Sequence, residues 1–287
     1  MKDMKIYIDG EYFSKDNAKI SVFDHGLLYG DGIFEGLRIY GGKVFLLDKH
    51  LDRLYNSALA LSLTIPMSRE DMKMAVEETV ALNERVDGYI RLVVTRGAGT
   101  LGLDPDRCPK ASVIIIADNI SLYPQENYRD GIPVVTASSR RLGPDGLDPR
   151  IKNLNYLNNI LAKIEAKQAG CMEAVMLNRE GNVAECSADN IFIFKNGVLK
   201  TPDPTQGALA GLTRGFVLEL AKKEAMEVKE TILTRYDLYT ADECFMTGSG
   251  AEIMPVNKID GRVIGGGKCG LLTEKLRSLF TQAVGNS

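Results

Sequence analysis

The stretch RIKNLNYLNNILAK, residues 150–163, decides how the rest of the chain is read. Lys152 stands in front of a run of Leu, Asn, Tyr and Ile that carries no further charge until Lys163. A surface helix normally spreads charges along its outer face. Taken alone, a lysine is a solvated surface group. Among residues that favour burial, its charged form is disfavoured, and the neutral amine can attack a carbonyl carbon.

Around this stretch the chain alternates hairpins and helices. Asp9-Gly10, Gly41-Gly42, Asn196-Gly197 and Asp260-Gly261 each separate two alternating apolar runs. They predict tight hairpins, because these residues accept positive φ at low cost. LDKHLDRLYNSALAL places Leu51, Leu54, Tyr55, Ala58 and Leu59 on one helical face. SREDMKMAVEETVALNE opens on Ser68 as an N-cap with acids in its first turn. LTRGFVLELAKKEA and LLTEKLRSLFTQAV predict two further amphipathic helices, and GYIRLVVTRG and ASVIIIAD predict strands. The polar, proline-bearing segment NISLYPQENYRDG, residues 119–131, reads as a linker between two α+β domains, 1–118 and 132–287.

The bulk composition excludes several classes. The chain has 287 residues, 45% hydrophobic and 25% charged, the profile of a globular protein of two domains. A net charge of −3 provides no global basic field for nucleic acid or an anionic membrane. No apolar run reaches membrane-spanning length. The N-terminal MKDMKIYIDGEYF alternates as a strand does and lacks the apolar centre of a signal peptide. Cys108, Cys171, Cys186, Cys244 and Cys269 are scattered with no CxxC pair, which points to reduced thiols in a cytoplasm. With only His25 and His50 present, no metal centre is expected.

Two glycine-rich motifs invite a nucleotide and are set aside. GAGTLG, residues 97–102, matches GxGxxG, but the two prolines of LDPDRCP prevent a helix from opening there. GGGKCG, residues 265–270, lacks both the first P-loop glycine and the Ser or Thr after Lys268. His25 reads as a structural hydrogen-bonding residue.

If Lys152 does form a Schiff base, an aldehyde cofactor such as pyridoxal phosphate would need further partners. These are a carboxylate at the pyridine nitrogen, a phenol near the ring hydroxyl and an anion cradle for the phosphate. Glu185 in NVAECSADNIFIF is an acid at the edge of an apolar strand, where it needs a cation, whether the pyridine nitrogen or an arginine. Tyr156, four residues past Lys152, shares its face if the stretch is helical. LAGLTRGFVLEL is a turn running into a helix, so the amides of Leu212 and Thr213 would point at an anion. FMTGSGAEI adds Ser249, and Arg53 lies off the apolar face of its helix, able to reach a phosphate or water.

These motifs occur in one order: DHGLLYGDGIFEGLRIY, DKHLDRL, YIRLVVTRGAGTLGLDP, KNLNYLNNILAK, NVAECSADNIF, ALAGLTR and FMTGSGAEIMPV. In that order, almost end to end, the chain resembles the fold-type IV pyridoxal-phosphate enzymes, and within them the branched-chain amino-acid aminotransferases. The resemblance implies an α+β fold with a smaller N-terminal and a larger C-terminal domain and the cofactor between them. It implies Lys152 as the Schiff-base lysine, Glu185 at the pyridine nitrogen and Tyr156 near the ring hydroxyl. Arg53, the amides of Leu212 and Thr213, and Ser249 would bind the phosphate. Phe34, Tyr29, Tyr89, Arg91 and Gly250 would meet substrate. Ping-pong exchange of an amino group between amino acids and 2-oxo acids follows from the same likeness. So does a homodimer or higher oligomer, in which Tyr29 and the GLDPD loop reach the neighbouring subunit's pocket. A D-amino-acid aminotransferase is the nearest rival; it typically carries a histidine after the strand matching YIRLVVTRG, and here none follows His50. An (R)-amine transaminase of the same fold stays open beside it; an aminodeoxychorismate lyase is a weaker fit, and a non-catalytic pyridoxal-phosphate binder the weakest.

Overall fold

Asp9-Gly10, Gly41-Gly42, Asn196-Gly197 and Asp260-Gly261 all close hairpins. Each of the eight residues has φ between 49° and 101°, the left-handed pair that a two-residue turn needs. The flanking residues pair across each turn: Ile8 with Glu11, Tyr40 with Lys43, Lys195 with Val198, and Ile259 with Arg262.

The structure is a computed structural model that describes residues 4–119 and 123–285. Residues 1–3, 120–122 and 286–287 lie outside the described residues, and with them the two chain ends of the expected domains and part of the expected linker. The rest of that linker is not bare loop, since Gln125–Asp130 is helical. Two compact units form. One comprises the described residues through 119 together with Ile151–Asn155, and the other 123–150 and 156–285. The segment holding Lys152 thus belongs to the first unit, although it follows the expected linker in sequence.

The first unit contains β1 (Lys5–Ile8), β2 (Glu11–Ser14), α1 (His25–Tyr29), β3 (Gly32–Tyr40), β4 (Lys43–Val44), α2 (Leu47–Ala60), α3 (Arg69–Leu82), β5 (Gly88–Thr95) and β6 (Ser112–Asp118). Its strands form one antiparallel sheet in the order β2-β1-β6-β5-β3-β4. Ile33, Leu37 and Ile39 alternate along β3 and pack with Ile90 and Leu92 of β5 against Leu51, Leu54, Met72 and Val76 of the two longer helices. Ser68 caps α3 by accepting the Asp71 N–H, as its sequence predicts. Leu59 does not join the apolar face of α2: it is 79% exposed, about 140° around the helix from Leu54.

Glu35 falls in the same alternation as Ile33 and Leu37 and is fully buried on the core face. A buried carboxylate is stable only when paired. Helix α2 supplies the partners. His50, Arg53 and Ser57 recur at helical spacing on the face turned to β3. Arg53 Nε donates to Glu35 Oε1 and Nη2 to Oε2, both at 2.7 Å. His50 Nδ1 bonds Oε2 at 2.7 Å. Burial alone would raise the Glu35 carboxyl; the Arg53 charge and hydrogen bonds, with the bond from His50, outweigh it and hold it at about 2. Burial pushes His50 below its ordinary value, against the opposing pull of the Glu35 carboxylate to which its ring is bonded.

Ser57 Oγ accepts the Lys152 N–H at 3.3 Å, while the Lys152 carbonyl accepts the Phe34 N–H at 2.9 Å. Asn153 bridges Ile33. Lys152 therefore lies in an extended segment docked on β3 and α2, not in a helix.

The second unit contains α4 (Gln125–Asp130), β7 (Ile132–Thr136), α5 (Leu157–Gln168), β8 (Glu173–Leu177), β9 (Val183–Cys186), β10 (Asn190–Lys195), β11 (Val198–Pro202), α6 (Leu212–Lys223), β12 (Val228–Thr231), α7 (Arg235–Tyr239), β13 (Glu243–Gly248), β14 (Glu252–Ile259), β15 (Arg262–Val263) and α8 (Leu271–Gly285). Its sheet runs β12-β11-β10-β13-β14-β7-β8-β9, with β15 on β14. Strand β9 also packs against β10 and β11, so the sheet curls back toward itself. Val175, Ile191, Met246, Met254 and Val256 fill its core. Of the two set-aside glycine motifs, GAGTLG is an irregular loop bridged to Asp24 through Ala98, and GGGKCG opens on a turn. GAGTLG leads to a one-turn 3-10 helix at Pro105–Arg107. After GGGKCG, the Glu243 carboxylate already takes the amides of Leu272 and Thr273 that an anion would use.

The buried charge cluster makes stability sensitive to acid. Glu35 titrates at about 2 in the fold against an ordinary 4.5. Its contribution is complete above the unfolded value and is lost as pH falls from 4.5 toward 2. Glu35→Gln leaves the Arg53 charge without its carboxylate partner and should cost about 3 kcal/mol near neutrality. Thermal unfolding across pH checks both: the variant should melt lower at pH 7 and show a flatter decline in acid. An unchanged melting profile would remove the cluster from the account.

Candidate active site

In the first unit the sheet face opposite the helices carries the alternate residues. Phe34 and Gly36 of β3 lie beside Val93 and Arg91 of β5, and Tyr89 follows on the same face. The Arg91 guanidinium lies 4.6 Å from the Phe34 ring centroid and 5.6 Å from that of Tyr89. Gly36 is required here because a Cβ would come within 1.8 Å of the Tyr89 hydroxyl. Lys152 is half-buried, and its Nζ lies 4.5 Å from the Phe34 ring centroid. Lys152 and Arg91 thus meet at the Phe34 ring, and Arg91 also reaches the Tyr89 ring. Arg91 makes no ion pair among the described residues; the Phe34 and Tyr89 rings flank its guanidinium.

Arg53 does not extend to solvent from the edge of its helix. It is a bidentate partner of Glu35, with its side chain 13% exposed. Tyr29 ends α1, and its hydroxyl accepts the Gly102 N–H at 3.1 Å, tying this ring to the start of the GLDPD loop. The turn after Tyr29 is in turn held to the Lys152 segment, through Asn155 Nδ2 donating to the Gly30 carbonyl at 2.9 Å. His25 is buried and bonds the Thr100 carbonyl at 3.0 Å, the structural role expected of it.

In the second unit Glu185 sits within β9, 5% exposed. Oε1 pairs with Arg141 Nη2 at 2.9 Å, and Oε2 accepts the Leu209 N–H at 3.0 Å and Asn190 Nδ2 at 3.3 Å. Its need for a cation is met by an arginine, the plainer of the two readings that its sequence position allows. Helix α6 begins beside this group. Its N-cap is Gly211, which offers no side-chain cap, so the amides of Leu212 and Thr213 have no acceptor within the helix. Gly211 is needed because a Cβ would come within 2.0 Å of Asn190 Oδ1. Asn190 pairs with Thr247 across β10 and β13, and the buried Thr247 hydroxyl has no hydrogen-bond partner among the described residues. Ser249 and Gly250 form the turn just beyond β13. An uncapped helix end, a buried hydroxyl without a partner and a glycine cradle together suit a polar ligand.

Tyr156 is the N-cap of α5 and does not share a helical face with Lys152. Asparagines decide this. Asn153 Nδ2 donates to the Ile151 carbonyl and its Oδ1 accepts the Asn155 N–H, local bonds that compete with helix formation. Arg141, Asn190, Glu35 and His50 were not singled out from sequence as site residues. Glu35 had a visible signal, an acid in the apolar phase of a strand; Arg141 had none.

A family model described as amino-transferase class IV matches residues 32–259. The chain is 54% identical to a Methanocaldococcus jannaschii protein provisionally named a branched-chain-amino-acid aminotransferase, over 96% of this chain and 95% of the other. It is 38% identical to a Listeria monocytogenes protein named D-alanine aminotransferase, over 98% and 96% of the two chains. Among solved structures it is similar to that of an Escherichia coli branched-chain amino acid aminotransferase, with 34% identity and a TM-score of 0.95, covering 98% of this chain and 94% of that one. A second similar crystal structure, of a T.th. branched-chain amino acid aminotransferase, holds pyridoxamine 5'-phosphate. That likeness has 37% identity and a TM-score of 0.95, covering 100% of this chain and 95% of that one. With most of its length inside the family match and its α+β, two-unit fold shared with these relatives, the chain belongs to the class IV aminotransferases.

Proposed function

We propose that this chain is a pyridoxal-phosphate-dependent aminotransferase for leucine, isoleucine and valine, with 2-oxoglutarate as acceptor and 2-oxo acids and L-glutamate as products. The observation that carries the reading is Lys152, a half-buried amine held by backbone bonds beside the ring that Arg91 also covers. The relatives named for branched-chain substrates, and the similar structure with pyridoxamine 5'-phosphate, support it.

The residues present fit the cofactor: an uncapped helix N-terminus and a buried arginine suit its phosphate, and a buried carboxylate suits its ring nitrogen. When bound, the cofactor supplies an aldehyde for the substrate amino group and a ring that draws electrons from the α-carbon. Arg53, the amides of Leu212 and Thr213, and Ser249 would bind the phosphate. Glu185 would hold the ring nitrogen and Tyr156 would approach the ring hydroxyl. Lys152 holds and moves the proton at the substrate α-carbon, so its amine must be neutral for part of the cycle. Phe34, Tyr29 and Tyr89 offer apolar ring surface to the side chain and keep water away. The amides near Ser249 and Gly250, with the Tyr89 hydroxyl, would hold the α-carboxylate common to both substrates.

A homodimer is part of the same proposal. Leu157, Ile160, Leu161 and Ile164 expose an apolar stripe along α5, which supports burial against another subunit. Sedimentation should give a dimer or larger; a fully active monomer would contradict it. Placement in the cytoplasm rests on the five free cysteines, two of them buried, and fractionation beside a cytosolic marker checks it.

The Listeria relative favours one competing reading, transfer from D-alanine. The Tyr89-Ile90-Arg91 triplet and the lack of any histidine after His50 favour the L-series. Assay of L-Leu, L-Ile, L-Val, D-Ala and an aromatic amine, each with 2-oxoglutarate, separates them. The branched-chain L-amino acids should turn over fastest; faster turnover of D-Ala or the amine would overturn the assignment.

One pocket must also take the charged side chain of glutamate. Burying that distal carboxylate without a cation is costly, and Arg91 supplies one on the face of Tyr89 and Phe34. Arg91→Met should slow the glutamate half-reaction about a hundredfold, roughly 2–3 kcal/mol, and the leucine half-reaction far less. Stopped-flow measurement of each half-reaction decides it. Equal losses would assign Arg91 to the shared α-carboxylate or to the fold.

A further inference from the structure

We propose that Arg141 is a positioning residue that keeps the ring proton on the cofactor nitrogen and off Glu185. The inference rests on the reading above that Glu185 faces that nitrogen. Arg141 is 9% exposed, and all three of its side-chain nitrogens are engaged. Nη2 meets Glu185 Oε1 at 2.9 Å, Nη1 donates to Asn159 Oδ1 at 2.9 Å, and Nε donates to the Gly207 carbonyl at 3.2 Å. Asn159 is fixed in its turn, because its Nδ2 donates to the Ser187 carbonyl at 2.7 Å. The guanidinium is therefore anchored from α5 and from the loop at Gly207, and it meets the carboxylate in one orientation.

The electrostatic consequence has a definite sign. Between a ring nitrogen and a carboxylate, one proton can rest on either partner. On the nitrogen it gives a charged pair; on the carboxylate it gives a neutral pair. Moving it to Glu185 carries positive charge toward Arg141, which the buried guanidinium opposes, and it removes the anion that Arg141 binds. The Leu209 and Asn190 donors on Oε2 act in the same direction, since hydrogen bonds donated to a carboxylate favour its charged form. The proton stays on the ring. A protonated ring is the stronger electron sink, so Arg141 serves the reaction without touching substrate or cofactor.

The test reads the proton directly. Holoenzyme is prepared with cofactor labelled with 15N at the ring nitrogen, and its 15N resonance is followed against pH in wild type, Arg141→Met, Arg141→Lys and Glu185→Gln. Wild type should show the protonated ring across the neutral range and Glu185→Gln the unprotonated ring. In Arg141→Met the shared proton should move toward Glu185, so the 15N resonance should shift part of the way to that of the unprotonated ring across the neutral range. Arg141→Lys, which keeps the charge, should recover most of that shift. If Arg141→Met fails to retain cofactor, Asn159→Ala loosens the same guanidinium and should move the resonance the same way by less. A wild-type resonance profile in Arg141→Met, or in Asn159→Ala where that variant is needed, would leave Arg141 a merely structural residue and overturn the proposal. An unmoved resonance in Glu185→Gln would instead show that Glu185 does not face the ring, which overturns the underlying reading and this inference with it.

Discussion

The bond between Glu35 and Arg53 is the constraint on which the first unit's chemistry depends. A fully buried carboxylate is tolerable only against a fixed cation, so strand β3 and helix α2 must meet in one register. That register brings Ser57, one turn beyond Arg53, to the Lys152 amide, while the neighbouring Phe34 amide takes the Lys152 carbonyl. The lysine backbone is thus held by the two elements that the ion pair clamps. The pleat of β3 does the rest: it buries Glu35 on one face and sets Phe34 on the other, beside the amine and the Arg91 guanidinium.

The second unit repeats the logic with different parts. Glu185 is a carboxylate buried within a strand, and Arg141, Leu209 and Asn190 satisfy it before any ligand arrives. Such a group is costly to bury and rigid once satisfied, which suits a role in holding charge in place. Beside it, close approach of the chain is made possible by Gly211, and helix α6 starts without a side-chain cap. Stability is thereby given up at a helix end that an anion would restore.

What was legible in the sequence is what local chemistry fixes. The paired turn residues foretold four hairpins, because positive φ at Asp, Asn and Gly needs no distant partner. Ser68 foretold its helix end for the same reason. The pairing of Tyr89 with Arg91 followed from the two-residue period of a strand. The failures share another cause. Tyr156 was expected on one helical face with Lys152, but asparagine side chains at 153 and 155 bind nearby backbone and hold the segment extended. The pairing of Arg53 with Glu35 left no trace in the sequence because the partner lies 18 residues away on another element. Arg141 gave no signal, since a loop arginine looks the same in sequence whether solvated or locked against a carboxylate. The ordered motifs nevertheless carried the family, because their spacing along the chain is a stronger constraint than any one of their roles.

The central claim is that Lys152 is the amine that holds the cofactor. Borohydride reduction of the holoenzyme, followed by proteolysis and mass spectrometry, tests it most directly. The account predicts that reduction bleaches the protein and leaves a single stable cofactor adduct on the peptide containing Lys152. An adduct on another lysine, such as Lys163 or Lys258, would contradict it.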